Sequence, residues 1–200
     1  MTIPVIVLAS GGRDSAACIA YYRQQERDIR ALWIDYRQRA ARREEEAVER
    51  VAAHYRVPLQ KIDLKGVRWP RLDGDVFEYR GRNLTLAAIA LNTAPAGGAL
   101  IALGIHQGTP FADCDPAFVA QMDEMLKLLS DGLVRVDCPF VAWSKGDVAR
   151  FGATAGVPFD LAYSCERGRA TPCGECVKCQ DNLALDAMLS GASPEQDAAR

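Results

Sequence analysis

The fold class predicted by the sequence is α/β: a three-layer sandwich on a five-stranded parallel sheet, followed by a C-terminal cysteine-rich segment. Three observations predict it. Short β-type segments alternate with longer segments of helical periodicity, the pattern of parallel strands covered on both faces. The N-terminus reads as one strand, turn and helix unit. The chain has 200 residues, 49% hydrophobic and 25% charged. That is enough for one sizeable core and too few for two ordinary domains.

The elements follow in order. Residues 5–9 (VIVLA) are an apolar strand, and residues 15–25 (SAACIAYYRQQ) carry apolar side chains at helical spacing. Residues 29–34 (IRALWI) give a second strand. Residues 41–55 give a charged amphipathic helix with Val48, Val51 and Ala52 facing inward. Residues 59–64 (LQKIDL) are a third strand, 83–93 a helix, and 100–104 (LIALG) a fourth strand. Residues 116–129 form a helix opening with proline at its first turn. Residues 134–138 supply the fifth strand and 145–155 a helix. Residues 157–179 are irregular, and a last helix lies around 181–189. Crossovers between these strands are expected to be right-handed.

Two stretches break the alternation. Residues 65–82, with Trp69, Pro70 and mixed charge, are expected to be a loop over one edge of the cleft. Residues 190–200 are expected to be a disordered tail. The expected organisation is one domain over residues 1–189, with a metal-binding segment at 163–182.

Composition excludes several function classes. A net charge of −2 exerts no pull toward nucleic acid or an anionic membrane, so a small-molecule partner is expected. The ARREEEAVER run is mixed in sign and reads as a solvated helix face. No apolar run approaches the roughly 18 residues of a membrane span, and no secretory leader is legible, so the expected location is cytoplasmic.

Chemistry concentrates in two motifs. The first is SGGRDS at residues 10–15, just past the first strand. In an open parallel sheet the ligand crevice lies beyond the carboxyl ends of the strands. There, paired glycines let the backbone turn its N–H groups inward, and the positive end of the next helix points to the same place. That is a phosphate cradle without the GK[ST] ending of a Walker loop. An ordinary turn followed by a helix cap is the alternative. The second motif is SCERGRATPCGECVKC. Cys165, Cys173, Cys176 and Cys179 have the spacing C-x7-C-x2-C-x2-C, with Gly174 relieving the turn. Four thiolates on one short segment suit a closed tetrahedral Zn²⁺ shell whose role is to fix the loop. An iron–sulfur cluster and free or disulfide-bonded thiols are the alternatives. Cys18, Cys114 and Cys138 read as small buried hydrophobes.

SGGxDS after a first strand resembles the pyrophosphate-binding loop of the ATP pyrophosphatase (PP-loop) superfamily, whose fold is adenine nucleotide alpha-hydrolase-like and Rossmann-like. Ser10, Gly11, Gly12, Asp14 and Ser15 match. Further matches are DYxQ at Asp35, Tyr36 and Gln38, GRN at Gly81, Arg82 and Asn83, DC at Asp113 and Cys114, and the pair Ser144 and Lys145. Together with the four cysteines, over about residues 3–182, they resemble the 7-cyano-7-deazaguanine synthase (QueC-like) family.

The resemblance implies a cytoplasmic homodimer that uses ATP, Mg²⁺ and ammonia to turn a deazaguanine carboxylate into a nitrile through adenylated intermediates. It implies that Ser10, Gly11, Gly12, Arg13, Asp14, Ser15, Asp35 and Tyr36 bind the nucleotide, with Asp14 helping to hold Mg²⁺. Asp14, Ser15 and Lys145 become the catalytic candidates, and Arg82, Asn83, His106, Gln107 and Asp113 the substrate-binding ones. A related enzyme that joins such a carboxylate to another amine or protein is the alternative. The chain departs from the family pattern at Arg13, where an apolar residue is usual, and at Arg37, where glycine is usual. The usual histidine shortly after Gln38 is missing, and GIHQGTPFADC replaces an acidic stretch ending in YPDC.

Overall fold

The computed structural model of the protein describes residues 3–67 and 79–191. Five strands, β1 (Val5–Leu8), β2 (Ile29–Asp35), β3 (Leu59–Asp63), β4 (Ala99–Ala102) and β5 (Val134–Asp137), form one sheet. Its order is β3-β2-β1-β4-β5, and every neighbouring pair is parallel. The helices are α1 (Arg13–Gln24), α2 (Ala41–Tyr55), α3 (Arg82–Leu91), α4 (Pro116–Leu129), α5 (Lys145–Thr154) and α6 (Val177–Ser190).

Period-two alternation along the strands divides the core. Val5, Val7, Ala31, Trp33 and Ala102 face one layer with Ala17, Ile19, Val48, Val51 and Val148, contributed by α1, α2 and α5. Ile6, Leu32, Ile34, Ile101 and Val136 face the other, with Ala87 and Ala90 of α3 and Met122 and Leu126 of α4. The change of face has a topological cause. From β1 to β3 the chain steps one way across the sheet, and from β4 to β5 it steps the other way. With one crossover hand, the helices must therefore change sides. The reversal lies between β1 and β4, which places the crevice beyond their carboxyl ends.

Two helix starts and two short turns are among the differences from the sequence reading. Helix α1 starts at Arg13, because Gly12 (φ −81°, ψ 168°) already serves as its N-cap. Asp14 and Ser15 therefore sit in the first turn of α1 instead of in the loop before it. Helix α6 starts at Val177, four residues before the expected Asp181, with Cys176 as N-cap. Two short 3₁₀ turns, Ala112–Cys114 and Phe159–Leu161, occupy stretches that carry no periodic signal. Most of the expected edge loop (68–78) and the tail (192–200) lie outside the described residues.

A buried aromatic group fastens α5 to α1. Phe140 has no solvent exposure, and its ring lies 5.7 Å from Tyr21, 5.1 Å from Trp143 and 5.8 Å from Phe151. Beside it, the Tyr22 hydroxyl donates to Asp137 Oδ2 at 2.5 Å, tying α1 to the end of β5. Among the described residues no helix is long and apolar enough to cross a membrane.

Candidate active site

The loop between β1 and α1 is shaped by side chains that are missing. Gly11 has φ +76°, and a Cβ there would lie 2.6 Å from the Glu44 carbonyl of α2. Gly104, just past β4, approaches the same turn from the other side, where a Cβ would lie 2.9 Å from the Asp14 carbonyl. Only glycine permits both approaches. The Gly12 N–H donates to Ser10 Oγ at 3.3 Å, and Ser15 Oγ donates to the Gly12 carbonyl at 2.9 Å. Among the described residues no side chain caps the N-terminus of α1. Its first N–H groups thus remain available to an anion, with the helix dipole favouring negative charge at that end.

This turn forms one wall of a cavity of about 270 Å³. Of the residues singled out from the sequence, Ser10, Gly12, Arg13, Asp14, Ser15, Tyr36, Arg82, Asn83 and His106 line it together. Gly11, Asp35, Gln107, Asp113 and Lys145 stand behind or beside it. Asp35 Oδ1 accepts from the Arg37 N–H at 2.7 Å. Asp113 holds Asn83 twice: its Oδ2 accepts from the Asn83 N–H at 3.1 Å, and its carbonyl accepts from Asn83 Nδ2 at 2.9 Å. Gln107 is exposed and lines a neighbouring hollow with Thr109 and Pro110. Lys145 Nζ donates to Asp181 Oδ2 at 2.5 Å, joining the start of α5 to α6. Arg13 makes a paired contact with Asp186 of α6 at 2.6 and 2.9 Å, its guanidinium 5.1 Å from the centre of the Phe159 ring.

The electrostatics of the cavity centre on three groups. Burial alone would raise the Asp14 carboxyl; His106, Lys145 and Lys178 outweigh it and hold Asp14 below the usual range. Burial pushes His106 down, but Asp14 and the Gln107 carbonyl turn the balance upward. Its Nδ1 lies 2.7 Å from that carbonyl, which can only accept, so Nδ1 carries a proton. Glu44 is the third. It sits in the run read as a solvated face, yet its side chain turns into the cavity and accepts from Gln38 Nε2 at 2.7 Å. Burial there raises its carboxyl to about 7, against the opposing pull of Gln38 and Arg82. Sequence reasoning missed Glu44; its only signal was a position one helical turn before Val48 on the inward face.

The cysteine segment closes one side of the cavity. The Tyr163 N–H donates to the Gly11 carbonyl at 2.8 Å, and Tyr163, Ser164, Glu166 and Lys178 join the lining. The sulfurs of Cys165, Cys173, Cys176 and Cys179 all lie within 4.8 Å of one another. Those of Cys173 and Cys179 are 3.9 Å apart, close to the tetrahedral edge of about 3.8 Å that metal–sulfur bonds of about 2.3 Å produce. Backbone N–H groups of Cys173, Glu175 and Cys176 donate to sulfur at 3.3–3.4 Å, an arrangement that favours thiolates. The four residues can hold a metal ion.

Comparison with known proteins fits this geometry. The family model for queuosine biosynthesis protein QueC matches residues 4–69 and 79–185. The chain belongs to this family. Among curated relatives, the 7-cyano-7-deazaguanine synthase of Aquifex aeolicus is 30% identical, over 92% of this chain and 97% of its own length. The synthase of Ruegeria sp. is also 30% identical, over 94% and 91%. That of Pseudoalteromonas translucida is 28% identical, over 92% and 93%. Among solved structures, U34-tRNA thiolase NcsA from Methanococcus maripaludis with its 4Fe–4S cluster is a distant likeness. It has a TM-score of 0.46 and 13% identity, over 95% of this chain and 67% of that one.

Proposed function

We propose that the chain is an ATP-dependent carbon–nitrogen ligase that converts 7-carboxy-7-deazaguanine and ammonia into 7-cyano-7-deazaguanine. The observation that supports this most is the meeting of the uncapped N-terminus of α1, Ser10 and Ser15 with Arg82 and Asn83 on one cavity, in a chain of the QueC family. An unactivated carboxylate does not exchange oxygen for ammonia at neutral pH. In the proposed reaction a carboxylate oxygen attacks the α phosphorus of ATP, the α–β bridging bond breaks, and pyrophosphate leaves. Ammonia attacks the acyl carbon of the adenylate, AMP departs, and loss of a proton gives the amide. A second ATP adenylates the amide oxygen, and expulsion of AMP with loss of the remaining N–H protons gives the nitrile.

The residues have matching roles in this reading. Amides of Gly11, Gly12 and the first turn of α1 cradle pyrophosphate, with hydroxyl contacts from Ser10 and Ser15. Asp35 and Tyr36 border the nucleoside, and Arg13 stands near the phosphates. Arg82, Asn83 and His106 face the deazaguanine acid, with Asp113 and Gln107 supporting them from behind. Lys145 lowers negative charge around the α phosphate. Asp14 would hold Mg²⁺, which neutralises phosphate charge when bound. The four cysteines would hold Zn²⁺ in a closed shell that fixes the cavity wall and leaves no position for catalysis. A cytoplasmic homodimer completes the reading.

Incubation with the acid, ATP, Mg²⁺ and ammonium, followed by mass spectrometry, tests the proposal. AMP, pyrophosphate, the amide and then the nitrile are the expected products. Absence of acid-dependent AMP release overturns it, and an adenylate that never captures ammonia overturns the ammonia step.

A further inference from the structure

His106 stands where the fold brings β4 against the phosphate turn, and facing the acid accounts neither for its committed Nδ1 nor for its approach to Asp14. Its side chain is 7% exposed and faces the cavity. Its Nδ1–H is committed to the Gln107 carbonyl at 2.7 Å. That leaves Nε2 directed at Asp14 Oδ2, 3.6 Å away, beyond hydrogen-bond length. The Asp14 side chain is 33% exposed, so the gap between the two atoms opens onto the cavity.

We propose that Asp14 and His106 form a mixed carboxylate and imidazole site for the divalent cation that accompanies the nucleotide, and that this site takes Mn²⁺ in preference to Mg²⁺. The donor set fits such an ion. An imidazole that binds metal through one nitrogen donates the other N–H to a carbonyl or carboxylate, which fixes its tautomer and ring orientation. The Gln107 carbonyl does this for His106. Coordination distances of about 2.1 Å reach both Oδ2 and Nε2 across the observed gap. Mg²⁺ takes oxygen ligands and dehydrates reluctantly, whereas Mn²⁺, which shares its affinity for carboxylate and phosphate oxygens, is a first-row transition ion that gives up water more readily and also accepts an imidazole nitrogen. The remaining positions of the ion would go to phosphate oxygens and water. The four-cysteine group is a separate, softer site, so Mn²⁺ is a probe that distinguishes the two.

The inference rests on the nucleotide reading above, and the test separates the two. The full chain, purified with its cysteine site loaded, is titrated with Mn²⁺ in the presence of α,β-methylene-ATP, a nucleotide that cannot release pyrophosphate. Binding is followed by calorimetry, and the bound Mn²⁺ by pulsed electron paramagnetic resonance for coupling to imidazole ¹⁴N. The expected result is one nitrogen-coupled Mn²⁺ per chain. In His106→Asn the nitrogen coupling should vanish, and Mn²⁺ affinity should fall roughly tenfold while Mg²⁺ affinity changes much less. Mn²⁺ bound with the nucleotide but without nitrogen coupling, or with coupling that survives in His106→Asn, overturns the inference and spares the nucleotide reading. Failure to bind Mn²⁺ and the nucleotide together overturns both. His106→Gln serves as a second variant, since its side-chain oxygen can keep an ion without supplying the nitrogen signal.

Discussion

The phosphate turn and the cysteine segment lie side by side, joined by the bond from the Tyr163 N–H to the Gly11 carbonyl, yet they hold their shapes by opposite means. The turn is backbone pressed on backbone. Gly11 meets α2, Gly104 meets Asp14, and fully buried residues such as Val7, Ala16 and Ala17 anchor both flanks. The cysteine segment has few apolar contacts of its own. Among the described residues, only Ala40, Ala47 and Tyr163 are buried with Cys165 and Cys179, and Val177 and Leu183 of α6 are 67% and 57% exposed. One region is fixed by what the hydrophobic core leaves no room to change. The other is built around four thiols that can hold a metal ion, so its order should depend on ligand chemistry and the sheet's should not.

Removing one thiol should break the comparison most visibly. In Cys176→Ser the metal affinity should fall on the order of 10²-fold or more. Hydrogen exchange should then accelerate across residues 163–182, while peptides from β1, β2 and β4 keep their protection. Simultaneous loss of protection in the sheet would show that the two regions are one cooperative unit. Unchanged exchange at 163–182 would show that the segment needs no metal.

A pH titration sharpens the contrast from the side of the turn. Unfolded, the Glu44 carboxyl releases its proton near 4.5; folded, burial holds the proton until about 7. Between those values the native state binds more protons than the unfolded one, so this group makes stability fall as pH rises from about 4.5 to 7, and the penalty is complete above that range. Each pKa unit is worth about 1.4 kcal/mol, and partial solvent screening reduces the sum to about 1–2 kcal/mol. Glu44→Gln, which has no charge to bury, should therefore match the wild type near pH 4.5 and exceed it by that amount at pH 8 in urea denaturation. A constant difference across the range would mean that Glu44 ionises normally.

What the sequence revealed follows the same division. The strand segments, the glycine turn and the cysteine spacing are local patterns set by periods of two, of 3.6 and by turn chemistry, and all of them were legible. Motif matches also reached Tyr36, Arg82, Asn83 and His106 of the cavity, whereas Glu44 and the long-range pairs around the site carried no such signal. Glu44 lies within a run whose charges otherwise face solvent. Lys145 with Asp181, Arg13 with Asp186 and Tyr22 with Asp137 are pairs separated by 36, 173 and 115 residues. No periodicity links such pairs; α6 folded across the starts of α1 and α5 creates the first two, and the packing of α1 beside the end of β5 the third. The start of α6 was missed for a related reason: Cys176 caps it without a side-chain hydrogen bond, its sulfur turned to the other three.

The smallest expected effect lies at the tie between the two regions. Arg13 and Asp186 have side chains 18% and 52% exposed, so their paired contact should contribute only about 0.5–1 kcal/mol to stability. Stacking on Phe159 adds a comparable amount. Arg13→Met and Asp186→Asn should each loosen α6 slightly in hydrogen exchange. The double variant should be little worse than Arg13→Met alone, because both changes remove the same interaction. Nucleotide binding separates a tie from a phosphate contact. If Arg13 serves only to hold α6, the two single variants should shift ATP affinity in the same direction, through the displaced cavity wall. If the guanidinium also reaches the phosphates, Arg13→Met should weaken ATP binding, whereas Asp186→Asn, which frees the guanidinium, should strengthen it.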